Sequence, residues 1–188
     1  MKIGIIAEDD SDVAVIVELT FRLVKRRNIG TSRFVGHGCG KLRRKCGAWA
    51  ANLVQRGCHA IIAVHDLDDY DEQSLRNELT KAVRAAKPKL DVVLIPKREL
   101  EAWLLYDANA IALVFRNSRR PNLPGDPESV GDPKRFLREL VRRTYRREYL
   151  NTVHNAEIAK HIELTKLKKS HSFLPHITFS EKLRDLLN

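Results

Sequence analysis

Short apolar runs alternate with amphipathic stretches through the first two-thirds of the chain. Ile3-Gly4-Ile5-Ile6-Ala7 is a continuous apolar run of strand length, as expected for a strand covered on both faces. The next segment, residues 12–27, puts Val13, Val17, Thr20, Phe21 and Val24 on one helical face, with Ser11 as N-cap. Asn28-Ile29-Gly30 closes that helix, and Gly30 suits a left-handed turn. A second strand is predicted at 32–36. A second helix follows at 41–56, marked by Leu42, Cys46, Trp49, Ala50 and Leu53 and stopped by Gly57. A third strand is predicted at 59–64, a helix at 72–86 closed by Pro88, and a fourth strand at 90–95 broken by Pro96. Short helices at 99–106 and 108–115 complete the alternation. Four strand–helix units predict a Rossmann-like α/β fold: a mostly parallel four-stranded sheet flanked by helices.

The pattern changes after Asn117. Residues 117–133 hold Pro121, Pro124, Gly125, Pro127, Gly131 and Pro133 and read as a loop. Helices are predicted at 133–149, 155–162 and 180–187. The chain therefore divides into an α/β core over 1–116 and a helical C-terminal extension over 117–188, packed on the same domain. Its 188 residues fit one such domain, and 43% hydrophobic with 31% charged residues is a globular balance. The apolar runs fall far short of the roughly 20 residues that span a bilayer, so no membrane partner is expected. The first strand begins at once, so no secretory leader is expected. Cys39, Cys46 and Cys58 are odd in number and lack C-x-x-C spacing, which predicts a reducing, cytoplasmic setting rather than a disulfide framework or zinc site.

Charge adds a partner to this picture. The net charge is +10 and the pI about 9.7, which favours an anionic ligand. No Asp or Glu lies between Leu19 and His65, a stretch that carries Lys41, Arg43, Arg44 and Lys45. A second basic run holds Arg138, Arg142, Arg143, Arg146 and Arg147. Lys41, Arg43, Arg44, Lys45, Arg142 and Arg143 are the candidate contacts to a nucleic-acid backbone, DNA or RNA.

Against this basic background the acids are concentrated. Glu8-Asp9-Asp10-Ser11-Asp12 follows the first strand, and His65-Asp66-Leu67-Asp68-Asp69-Tyr70-Asp71 follows the third. Glu99 and Glu101 follow the fourth. Loops at the carboxyl ends of parallel strands meet in one crevice. Carboxylates brought together there repel one another unless a cation lies between them. An extended Asp66-x-Asp68 puts both carboxylates on one side. The joint placement predicts a site for Mg²⁺ or Mn²⁺, hard cations that take oxygen ligands. Asp9, Asp10, Asp69 and Asp71 read as turn or capping residues.

Glu8 after the first strand, Asp12 four residues on, and Asp66-x-Asp68 after the third strand resemble the Toprim signature. That domain occurs in topoisomerases, DnaG-type primases and OLD-family nucleases. The stretch Glu99-Leu100-Glu101-Ala102-Trp103-Leu104-Leu105-Tyr106-Asp107 resembles the E-x-E-A-W-L-L-x-D segment of a family of small bacterial Toprim-like proteins. Glu157-Ile158-Ala159-Lys160 through Ser170-His171-Ser172-Phe173 is similar to that family's C-terminal part. Asp9 stands where topoisomerase and primase motifs carry Gly. The resemblance implies that Glu8, Asp12, Asp66 and Asp68 are metal ligands, with Glu101 or Glu99 completing the site. It implies a nuclease in which Glu8, Asp66 and Asp68 act with a late basic residue, Lys160 or Lys166, and which works with a partner ATPase in bacterial defence.

Other features carry less. His37-Gly38-Cys39-Gly40-Lys41 is a Gly-rich turn before a helix, where a phosphate can sit, but it is no Walker A motif. His65 reads as a support to the acids, Trp103 as core, and Ser170-His171-Ser172 as loop. Two other functions are weighed: a non-catalytic, metal-stabilised nucleic-acid-binding subunit, and a receiver-like phospho-acceptor module. Asp9, Asp10 and Asp66 suit the receiver, but Pro96-Lys97-Arg98 stands where it needs Ser or Thr.

Overall fold

A computed structural model describes residues 1–36 and 38–187. Strands β1 (Lys2–Ala7), β2 (Gly30–Val35), β3 (Ala60–Val64) and β4 (Leu90–Leu94) form one sheet in the order β2-β1-β3-β4. Every pairing is parallel. The chain steps outward from β1 to β2, then crosses back to β3 and β4 on the other side. β1 and β3 are thus the central pair, and the switch in direction falls between them. The central strands are apolar on both faces: Ile3, Ile5, Ala60, Ile62 and Val64 join one core, and Ile6, Ile61 and Ala63 the other. Gly4 has a positional reason, because a Cβ there would lie 2.6 Å from Ile61 Cδ1 and 2.9 Å from Leu53 Cδ1.

Helices α2 (Cys39–Gln55) and α3 (Glu72–Arg84) cover one face. Helix α1 (Asp10–Val24) covers the other. It starts earlier than its apolar pattern implied, because Asp9 and not Ser11 is the N-cap. The Asp9 carboxylate accepts the N–H groups of Ser11 (2.7 Å) and Asp12 (3.1 Å), while Asp12 accepts the N–H of Asp9 (3.2 Å), a reciprocal capping box. The helix also ends early, with Lys25 in the left-handed region at φ 58°. Gly30, expected to end the helix, instead opens β2 and pairs with Lys2.

Beyond the sheet come α4 (Glu101–Leu104), α5 (Ala108–Val114), a 3-10 turn at Pro127–Ser129, α6 (Pro133–Tyr145), α7 (Asn151–His161), α8 (Leu164–Leu167) and α9 (Leu174–Leu187). Helices α7 and α9 pack on α1, and α9 also reaches β4. Ile158, Phe173, Phe179 and Leu183 therefore share one core with Ile3 and Ile62. Helix α9 begins six residues before its expected start at 180. Pro175, a breaker in mid-helix, is tolerated in the first turn, where its missing N–H is not needed. Helix α6 stops short of 149 because Arg146 turns left-handed, at φ 55°. Among the described residues, no helix is long and apolar enough to cross a membrane.

Candidate metal centre

The reversal of strand order places the crevice at the carboxyl ends of β1 and β3, the switch point where open α/β sheets bind ligands. Glu8 follows β1 and Asp66 follows β3, and the two loops are joined there. The Asp66 N–H donates to Glu8 Oε1 at 3.1 Å. His65 Nδ1 lies 3.2 Å from the same oxygen and 2.6 Å from the Asp66 carbonyl oxygen. The loop after β4 is drawn in as well, since the Leu100 N–H donates to Asp66 Oδ1 at 3.0 Å. That fixes the start of α4, whose first residue, Glu101, is only 3% exposed. Glu101 Oε1 accepts Asn155 Nδ2 at 3.1 Å and the Tyr149 hydroxyl at 3.4 Å, with Lys134 Nζ 3.9 Å away. Asp12, in the first turn of α1, is 7% exposed.

These acids act on one another. Burial raises the Asp66 carboxyl well above the ordinary aspartate range, and Asp12, Glu8 and Glu101 push it the same way. Burial also lifts Asp12, reinforced by Asp9 and Glu101. Glu8 is raised by burial, against the pull of His65. A cluster of hard oxygen donors that resist ionising together is the donor chemistry a divalent cation relieves. Glu8, Asp12, Asp66 and Glu101 are the residues that would hold it. Among the described residues, no three His, Cys, Asp or Glu side chains form a ready-made ligand shell. Mg²⁺ keeps several of its waters and takes one or two carboxylates, so the donor set suits that ion better than one needing a full protein cage.

The sequence candidates separate on this geometry. Asp68 is exposed, and its backbone is left-handed at φ 46°, so Asp66-x-Asp68 is not the extended pair that strand alternation implies. The loop runs beside the chain after β4, through Leu67 N–H to the Pro96 carbonyl at 3.0 Å and Asp68 N–H to the Arg98 carbonyl at 3.3 Å, and turns there. Asp68 stands at the rim and Asp66 inside. Glu99 and Glu101 also part: Glu99 Oε2 accepts the Lys134 N–H at 2.8 Å and caps α6, while Glu101 faces the other acids. Lys160 pairs with Glu157 at 3.8 Å and lines a groove of about 620 Å³ between α1, β2 and α7. Lys166 is held by Asp107 at 2.8 Å. Lys134, with its Nζ 3.9 Å from Glu101, is a cation beside the centre.

Two of the basic candidates are occupied within the fold. Arg43 forms a bidentate pair with Glu78 and lies over the Tyr70 ring at 4.7 Å, and Arg143 pairs with Glu139 at 3.2 Å. Lys41, Arg44, Lys45 and Arg142 are exposed and form no ion pair among the described residues. His37 of the Gly-rich turn lies outside the described residues. Lys134, Tyr149 and Asn155 were not legible beforehand. Lys134 follows a helix-starting Pro133, a signal for its position but not its partner, and Tyr149 and Asn155 sit in no motif.

Fold and site together define a parallel, Rossmann-like α/β protein with an acidic crevice at its switch point. The chain belongs to the family described as Domain of unknown function (DUF4276), which matches residues 22–178. The matched segment includes Asp66, Asp68, Glu99 and Glu101 and begins after Glu8 and Asp12. No curated protein and no solved structure matches the chain.

Proposed function

We propose that this protein is a Mg²⁺- or Mn²⁺-dependent nuclease of the Toprim type, cleaving phosphodiesters of nucleic acid. The observation that carries the reading is the meeting of Glu8, Asp12, Asp66 and Glu101 at the switch point, Asp12 and Glu101 buried, Glu8 and Asp66 partly buried, and Glu8, Asp12 and Asp66 with raised carboxyls. A divalent cation bound there supplies a more acidic water and positive charge toward the phosphoryl oxygens. Asp66, held by the Leu100 N–H, and Glu8, held by the Asp66 N–H, present their oxygens from two strand ends in fixed positions. Glu8 is the residue suited to exchange a proton with the reacting oxygens, as general acid or base, because burial raises its carboxyl. His65 steadies Glu8 from behind. Lys134 offsets the charge of Glu101.

The test is cleavage of end-labelled single- and double-stranded DNA and RNA with Mg²⁺, with Mn²⁺ and in EDTA. Asp66→Asn is expected to lower the metal-dependent rate about a hundredfold. A full rate in EDTA overturns the reading. The exposed Lys41, Arg44, Lys45 and Arg142, without ion-pair partners among the described residues, favour one alternative, a non-catalytic, metal-stabilised nucleic-acid-binding subunit, which would bind the same substrates without turnover. The sequence resemblance supports a partner ATPase and a role in bacterial defence. The free thiols of Cys46 and Cys58 support a reducing, cytoplasmic location.

A further inference from the structure

Helix α6 carries two kinds of arginine. Arg135 and Arg143 both pair with Glu139, at 3.1 and 3.2 Å. Arg138, Arg142, Arg146 and Arg147 are exposed and have no ion-pair partner among the described residues. These four line one pocket of about 500 Å³ together with Glu148 and Tyr149. The left-handed turn at Arg146 ends the helix and brings Arg147 onto the same pocket.

A basic last turn complements a helix dipole, which accounts for one or two such cations. It does not account for four guanidiniums around one hollow with a single acid among them. Their mutual repulsion is relieved by an anion, and the planar fork of arginine matches phosphate oxygens. The pocket also has a direction. Tyr149 lines it, and its hydroxyl donates to Glu101, so one side chain separates pocket from acidic centre. Lys134, beside Glu101, is followed by Arg138 and Arg142 on α6 and by Arg146 at its C-cap, at four-residue steps. Each step advances about 6 Å along the helix, a spacing that suits successive phosphates of an extended strand.

We propose that this pocket binds a phosphate group of a nucleic-acid strand whose following phosphates run along α6 toward the acidic centre. That the strand is a substrate rests on the nuclease reading; that the pocket takes phosphate does not.

The test is binding of a short fluorescent single-stranded DNA to the full chain in EDTA, where turnover and affinity are separated. Wild type is compared with the double variant Arg142→Gln/Arg146→Gln and with Arg135→Gln/Arg143→Gln, which removes the same charge from the paired side of the same helix. The first double is expected to weaken binding about tenfold and to flatten the slope of log K against log salt by about 1.4, two contacts on a single strand. The second is expected to change both far less. Equal losses in the two doubles, or no loss in the first, overturn the proposal. The same strand is used with a 5′-phosphate and with a 5′-hydroxyl. An effect of the first double confined to the phosphorylated strand assigns the pocket to a terminal phosphate, and an effect on both assigns it to the backbone. Weakened binding by the first double alongside absent cleavage leaves the pocket standing and removes the nuclease reading.

Discussion

Burial moves aspartate and histidine in opposite directions, and both movements occur in this fold. Asp66 and Asp12 are lifted because the charged form loses water. His176 is fully buried in α9 and pushed down to about 3 for the same reason. Its Nε2 lies 2.8 Å from Thr20 Oγ1, its Nδ1 has no hydrogen-bond partner among the described residues, and its ring meets the Phe173 edge. The folded protein therefore keeps His176 neutral, while the unfolded chain takes up a proton below the ordinary value of 6.5. Stability from this residue is complete above 6.5 and declines as pH falls toward 3, by up to about 1.4 kcal/mol per pH unit. Denaturant melts of wild type and His176→Gln between pH 7 and 4 check it. The variant is expected to be less stable at pH 7 and to lose less on acidification. Parallel pH profiles would show that His176 does not titrate between the two states.

At the scale of elements, two carboxylates do the work of tethers, and neither belongs to the acidic centre. Asp9 caps α1 and also accepts Asn151 Nδ2 at 3.4 Å, so the same residue starts one helix and holds the first turn of α7. Glu128, in the 3-10 turn at Pro127–Ser129, accepts the Ser170 hydroxyl at 2.7 Å, the Ser172 hydroxyl, and the N–H groups of His171 (3.2 Å) and Ser172 (3.1 Å). These bonds hold it below the ordinary glutamate range despite the opposing effect of burial. Ser172 Oγ in turn accepts Trp103 Nε1 at 2.7 Å. The serines near 170 are thus a clamp between the loop after α5 and the start of α9, packed under α4. Glu128→Ala leaves several buried donors without an acceptor and is expected to cost about 2–3 kcal/mol in a thermal or denaturant melt. A cost below about 0.5 kcal/mol would show the clamp to be replaceable by water.

For the whole molecule, a cation held in the acidic crevice, as proposed, would couple folding to metal. Wild type is expected to melt at a higher temperature with Mg²⁺ or Mn²⁺, because a ligand of the folded state stabilises it by mass action. Asp66→Asn removes one of the mutually repelling charges while Asn Oδ1 still accepts the Leu100 N–H. The metal-free variant is expected to be at least as stable as wild type and to gain much less from metal. Asp68→Asn, at the rim, is expected to keep most of the wild-type shift. Equal metal-induced shifts in wild type and Asp66→Asn would exclude Asp66 as a ligand.

The sequence alone determined the alternation of strands and helices, the parallel sheet and the acids at strand ends. Those depend on local apolar periodicity and on a rule that parallel strands share one carboxyl edge. It placed Glu8, Asp12, Asp66 and Glu101 on that edge, but it did not rank Glu99 against Glu101 or Asp66 against Asp68. Those choices turn on long-range bonds, Lys134 to Glu99 and Leu67 and Asp68 to the chain after β4, which no local pattern records. The same holds for charge. Arg43, Arg143, Arg142 and Arg146 look alike in sequence. Only folding brings Glu78 to Arg43 and Glu139 to Arg143 and leaves the other two open beside Tyr149. Whether a cation is spent inside the protein or left for a ligand depends on which acids the tertiary structure brings within reach, because a charge pair exists only at short range.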